Sequence, residues 1–313
     1  MTFPTSLSVR RWAGAVALVT GSLTLAACAS DDPVPASGSA AEPTTKPRPS
    51  EQEPTREPSQ QPTSESPPEP STTVVPVYYV GDGPGGSPAL FREFHRVTGD
   101  PLTEAARLVA GGGQPDDPDY RTLWPQVDLS VTYGDGVIGV DIPSDAFTER
   151  PDGMSERGAE LAVQQLVYTL QGVQQERAPV QVTRGGAPAR LFGLSTDAPF
   201  EQASPLRTLN LVNITSPAEG DTVRPGDSIA VTGVANSVEA NVVCELLVDQ
   251  APVATKAFTA EGWMEDRLFP FEGVLPAPEA PSGEVTVRCS TDDPSGGAEG
   301  NGPSVDTKTV KVG

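Results

Sequence analysis

Side chains that carry chemistry are scarce in this 313-residue chain: it holds one histidine, three cysteines and four lysines, and aromatic residues make up 5% of it. Each shortage excludes something. One imidazole cannot supply a multi-histidine metal centre, and no spacing reads as a nucleophile elbow, a zinc site or a phosphate loop. Neither an enzyme nor a cofactor is expected on this basis. Lys and Arg total 21 against 42 Asp and Glu, a formal charge of −21. Without Arg10 and Arg11, the only ionisable residues before Cys28, the figure becomes −23. Nucleic-acid binding needs clustered cations that release counterions, so no nucleic-acid partner is expected. The excess of arginine over lysine reads as a GC-rich genome.

Long apolar runs are also missing. The stretch from Trp12 to Ala27 is short and broken by Gly14, Thr20, Gly21 and Ser22, which suits a secretory signal better than a membrane span. At its end Leu25, Ala26, Ala27 and Cys28, followed by the small Ala29, resemble the lipobox of bacterial lipoproteins. That resemblance implies a signal peptide over residues 1–28, with Cys28 as the lipid attachment site and the mature N-terminus. Two or more acyl chains anchor stably where one holds only marginally, so the expected location is the extracytoplasmic face of the cell membrane. Arg10 and Arg11 leave the export route open.

Proline and glycine, by contrast, are plentiful, at 34 and 31 residues. Much of the proline lies in residues 29–73, where Pro, Ser, Thr, Glu and Gln dominate, as in Ser66, Pro67, Pro68, Glu69 and Pro70. Such a segment cannot bury a core and reads as a disordered linker. As a flexible coil it would reach roughly 35 to 40 Å.

Two folded domains are expected after it. In residues 74–195, Val75 to Val80 form a β-prone run stopped by Gly81, Asp82 and Gly83. The next run is ambiguous: Leu90, Phe94 and Val97 fit a helix face, whereas Phe91, Glu93, His95 and Val97 alternate as in a strand. Asp100 offers an N-cap with Pro101 at the first helical position, and Leu102, Ala105, Ala106 and Val109 keep helical spacing up to Gly111. Val127, Leu129, Val131 and Tyr133 alternate, Gly134, Asp135 and Gly136 turn the chain, and Ile138, Val140 and Ile142 alternate again, which predicts a hairpin. Ala159, Ala162, Val163, Leu166, Leu170 and Val173 predict a second helix, with Glu156, Arg157 and Glu160 on its solvent face, and Val180 and Val182 a closing strand. Strands and helices are interspersed, so the class is α/β or α+β. Residues 209–313 instead carry β-prone runs at Asn210–Ile214, Ser228–Gly233, Val242–Val248, Val253–Phe258, Gly283–Cys289 and Val305–Val312, and no long helix. That pattern predicts an all-β sandwich of immunoglobulin type. Cys244 alternates in phase with Val242 and Leu246, and Cys289 with Val285 and Val287, so both face the core. An exported setting favours a disulfide between them, the alternative being two buried reduced thiols.

Val77 to Val80, Leu90 to Val97, Asp135 to Val140 and Leu161 to Leu170, in that order, resemble the GerMN domain of sporulation and spore-germination proteins. The resemblance implies that Leu90 to Val97 is a strand. Ile214, Thr215, Ser216 and Pro217, then Val231, Thr232, Gly233 and Val234, together with Trp263, Met264, Phe269, Pro270 and Phe271, resemble the immunoglobulin-like domain that often accompanies it. Neither family is defined by catalytic residues, so the resemblance implies an architecture and an envelope setting without a reaction.

Four candidate sites remain. His95 beside Arg92, Glu93 and Arg96 has the makings of a general base, against the simpler reading of an ordinary strand residue. Asp116, Asp117 and Asp119, or Asp292, Asp293 and Glu299, offer oxygen ligands to calcium, but neither set follows the twelve-residue loop pattern, and solvated acidic loops are the simpler reading, with no metal expected. Trp263 and Phe271 are expected in the sandwich core, the alternative being a face for a sugar or a partner. The expected function is a lipid-anchored, non-catalytic interaction or scaffold module whose partners are envelope proteins or cell-wall material. The alternative is a binding module for a small ligand or a wall glycan.

Overall fold

The computed structural model describes residues 72–276, 283–293 and 302–313. The signal segment, Cys28, Glu299 and residues 29–71 of the polar segment lie outside the described residues. Two strands rich in β-branched and aromatic residues, β1 (Thr72–Asp82) and β2 (Pro88–Thr98), pair antiparallel from Thr72 opposite Thr98 to Asp82 opposite Pro88. The residues whose periodicity was ambiguous are therefore a strand, because β1 offers them a full ladder. Thr72 and Thr73, assigned to the linker on composition, are instead its first rungs, since a β-branched threonine serves a strand as readily as a polar segment.

Helix α1 (Pro101–Ala110) starts where the Asp100 carboxylate accepts the Thr103 N–H at 2.8 Å, and it buries Ala105, Ala106 and Val109. Strands β3 (Ser130–Gly134) and β4 (Val137–Asp141) form the expected hairpin. Its two turn residues, Asp135 and Gly136, take φ of 52° and 74°, the conformation that matches a two-residue turn to strand twist. The hairpin is shorter than its alternation suggested. Val127 does not pair with β4, because its N–H is taken at 2.7 Å by the Ala110 carbonyl at the end of α1. Helix α2 (Glu156–Gln174) crosses over to β5 (Val180–Thr183), which lies parallel to β4.

Buried polar residues on α2 finish the edge of β1. Thr169 Oγ1 accepts the Tyr78 N–H at 2.9 Å, and Gln165 Nε2 donates to the Tyr78 carbonyl at 3.0 Å. Backbone groups that would otherwise be buried without partners are thereby satisfied. The short strands β6 (Arg190–Leu191) and β7 (Leu194–Ser195) and the single turn α3 (Pro205–Thr208) lead into the second domain.

There, β8 (Val212–Ser216), β9 (Thr222–Val223), β10 (Ile229–Ala235), β11 (Asn241–Val248), β12 (Ala251–Thr259), β13 (Phe269–Leu275), β14 (Gly283–Thr291) and β15 (Val305–Val312) form two sheets, ordered β13-β10-β8 and β12-β11-β14-β15-β9. Val212, Ile214, Val231 and Phe271 of the first sheet pack on Val242, Leu246, Val287 and Val310 of the second, so the domain is an immunoglobulin-like sandwich. Strand β13 was not among the expected runs: Pro270 weakens its signal, and an edge strand tolerates a proline. The ring of Phe258 in β12 covers Gly273 in β13, where a Cβ would collide, and this contact closes one side of the sandwich. Cys244 and Cys289 are disulfide-bonded and face each other on neighbouring strands of one sheet. Among the described residues no helix is long and apolar enough to cross a membrane.

Candidate functional site

Strand alternation sends Glu93 and His95 to one face of β2 and Arg92 and Phe94 to the other. On the first face the loop that follows α1 folds back onto Glu93. One carboxylate oxygen of Glu93 accepts the Asp117 N–H at 2.8 Å; the other accepts the Asp116 N–H at 3.0 Å and lies 3.0 Å from His95 Nε2. Asp117 is thereby aimed at the second domain, where it forms a salt bridge with Lys308 of β15, both side chains almost wholly buried. Lys308 Nζ also donates to the Tyr120 hydroxyl at 2.9 Å, and that hydroxyl donates to Asp306 at 2.5 Å. The other Asp306 oxygen accepts the Ile214 N–H at 2.6 Å. Thr307 adds an exposed contact to Asp119 at 3.2 Å. A continuous polar network therefore joins both domains through their interiors.

Burial works against every charge in this network, and the partners oppose it. Burial pushes the Asp306 carboxyl up to about 6, against the pull of Lys308 and the bonds from Tyr120 and Ile214. Burial likewise raises Asp117, with Lys308 opposing, and raises Tyr120 further beside Asp306. Glu93 goes the other way: despite its burial, His95 and the two loop N–H groups hold it below its ordinary value. For Lys308, burial favours the neutral amine, but Asp306 and Asp117 outweigh it and keep the ammonium.

Asp306 holds its proton more tightly folded than unfolded, so its contribution to stability is complete below about pH 4 and is lost as pH rises through about 6. An Asp306→Asn variant cannot ionise and is expected to gain stability relative to the parent between pH 4 and pH 7, read from urea midpoints. A pH-independent difference would contradict this assignment.

The expected site residues separate accordingly. His95 lies between Glu93 and Asp116, with ligand atoms of all three within 4.8 Å. Both Glu93 oxygens already accept hydrogen bonds and the Lys308 ammonium lies nearby, so this trio fits a structural clamp better than a cation. Asp116, Asp117 and Asp119 do not converge: Asp117 goes to Lys308 and Asp119 to Thr307. The Asp292 N–H donates to Ser237 Oγ at 2.7 Å. Glu156, Arg157 and Glu160 are exposed on α2. Phe271 is buried as expected, but Trp263 is not: it is 39% exposed and its neighbour Met264 78% exposed, because both lie in the loop between β12 and β13. They rim a hollow of about 330 Å³ with Pro84, Leu211 and Val238. Tyr120, Asp306 and Lys308 were missed. The available signal was the phase that Asp306 and Lys308 share with Val310 and Val312 on β15.

Residues 76–190 match the family described as sporulation and spore germination, and residues 211–298 match the immunoglobulin-like domain of bacterial spore germination. No curated protein matches the sequence. Among solved structures, fibronectin(III)-like modules of Clostridium thermocellum CbhA are similar at 15% identity over 32% of this chain and 93% of theirs, with a TM-score of 0.23. The titin domains z1z2 in complex with telethonin are similar at 15% identity over 43% of this chain and 51% of theirs, with a TM-score of 0.21.

Proposed function

We propose that this chain, which carries a sporulation and spore germination domain followed by the immunoglobulin-like domain of bacterial spore germination, is a non-catalytic interaction module of the cell envelope. Its anchor is a lipid on Cys28, supported by the Leu25 to Cys28 sequence. The observation that carries the reading is the junction. Its buried acids and its lysine are committed to one another across two domains, which leaves them unsuited to proton transfer and holds two outer surfaces in fixed relation. A module that displays surfaces benefits from such rigidity, because less freedom is lost when a partner binds. Exposed Trp263 and Met264 are residue types enriched where protein surfaces meet.

The test is capture from crosslinked envelopes with the anchored protein, alongside Cys28→Ala and Trp263→Ser forms, followed by mass spectrometry. The parent is expected in the membrane fraction with a defined envelope protein attached. Cys28→Ala should be released from the membrane and Trp263→Ser should lose the partner. Wall cleavage by the purified protein, or recovery of the same material with all three forms, would overturn the reading.

A further inference from the structure

The other face of β2 borders a groove of about 280 Å³ between the two domains. Tyr78 of β1 and Arg92 of β2 form one side, Tyr168 and Gln171 of α2 the next, Arg177 follows that helix, and Arg267 reaches in from the loop before β13. Three guanidinium groups thus gather against one carboxylate of the lining, Glu176, which already accepts from the Tyr133 hydroxyl at 2.6 Å, in a chain whose acids outnumber its bases two to one. They are incompletely paired. Arg267 has Glu265 at 2.9 Å, but Arg177 makes no hydrogen bond or salt bridge among the described residues. Arg92 Nη2 donates to Thr215 Oγ1 at 3.2 Å and meets no carboxylate, while its Nε is buried without a partner.

Gln171 supplies the complement. It is 5% exposed, and its Nε2 donates to the Ala178 carbonyl at 2.8 Å, yet its Oε1 accepts from nothing among the described residues. Buried polar atoms are almost always bonded, so an unmet donor and an unmet acceptor on residues lining one groove call for a ligand that offers both. Beside them the rings of Tyr78 and Tyr168 pack on each other, 5.2 Å apart and tilted by 50°, with Tyr168 buried and its hydroxyl donating to the Ala203 carbonyl, so Tyr78 is the more exposed apolar edge of the pair.

We propose that this groove binds a single sugar ring bearing an oxyanion, either a carboxylate or a phosphate. The guanidinium groups take the oxyanion through charge-assisted hydrogen bonds. Tyr78 packs on the ring's C–H face with Tyr168 supporting it from behind, and Gln171 Oε1 accepts from a hydroxyl or an amide N–H. The volume lies just under the usual lower bound of about 300 Å³ for ligand pockets, which suits one substituted ring. This goes beyond the interaction reading and does not depend on it, since the test uses purified protein alone.

Three probes share one ring and differ in charge: N-acetylglucosamine, N-acetylmuramic acid with its carboxylate, and N-acetylglucosamine 6-phosphate. Titrated calorimetrically into the full chain at one ionic strength, at least one charged sugar is expected to bind about tenfold or more tighter than the neutral one. Whichever binds tighter identifies the oxyanion. Arg177→Glu, at an exposed position without bonds, should abolish that preference while leaving the thermal melt unchanged, and Arg267→Glu, which also gives up its contacts with Glu265 and the Phe269 ring, should abolish it from the second domain. Equal affinity for all three sugars, binding of none, or a preference that survives both substitutions would overturn the proposal.

Discussion

Replacing Lys308 with methionine is expected to destabilise the folded chain by about 3 to 5 kcal/mol, the usual effect of removing one partner from a buried ion pair. Methionine fills the space of the lysine stem, so the loss does not come from a cavity. It comes from Asp117 and Asp306, which keep their buried positions and lose the ammonium that faces both. At about 2 to 4 °C per kcal/mol for a body of this size, the melting temperature should fall by roughly 6 to 20 °C. Adding Asp117→Asn to Lys308→Met removes one stranded charge and should recover part of the loss, so the double variant should be more stable than the sum of the single effects. The network also spans the junction, so the Lys308→Met melt should separate into two transitions where the parent shows one. A loss under about 1 kcal/mol, the size of a surface pair, would mean that the network does not hold the domains together.

Much of the architecture was legible from local signals. The Asp100 cap with Pro101, the Asp135 and Gly136 turn, and the spacing of Ala159, Ala162, Leu166 and Leu170 each act over a few residues, so periodicity and turn chemistry sufficed. Where the reading stopped short, the deciding interaction was distant. Leu90 to Val97 satisfied two periods at once, and only the β1 ladder, or a family resemblance, separates them. Val127 alternates like a strand residue, but the Ala110 carbonyl claims its N–H. Gln165 and Thr169 look like errors on an apolar helix face until their bonds to Tyr78 are known. The junction was the least legible part. Asp117 was in view only as one of three acids in a loop, and its partner Lys308 stands 191 residues away. No spacing rule joins them. The phase of Lys308 on β15 marked a buried cation; what it met was fixed by the packing of one domain on the other.

Reduction of the disulfide between Cys244 and Cys289 is expected to cost about 4 kcal/mol, from the entropy returned to an unfolded chain whose cross-link spans 45 residues. The loss originates in the second domain, because both cysteines lie in its core and neither takes part in the junction; with the junction intact it lowers the single transition of the whole body. A Cys244→Ala/Cys289→Ala variant serves as the test, since alanine adds no polar group to a site that is fully buried. The reduced parent's melting temperature should fall by roughly 8 to 16 °C, and the variant's should not respond to the reducing agent. The comparison also separates two contributions. Reduction of the parent leaves both sulfur atoms to fill their volume, whereas the double alanine form leaves a void and should lie lower still. If the parent's melt is insensitive to a reductant that demonstrably frees both thiols, the cross-link contributes nothing to stability, and β11 and β14 are held by their ladder and core packing alone.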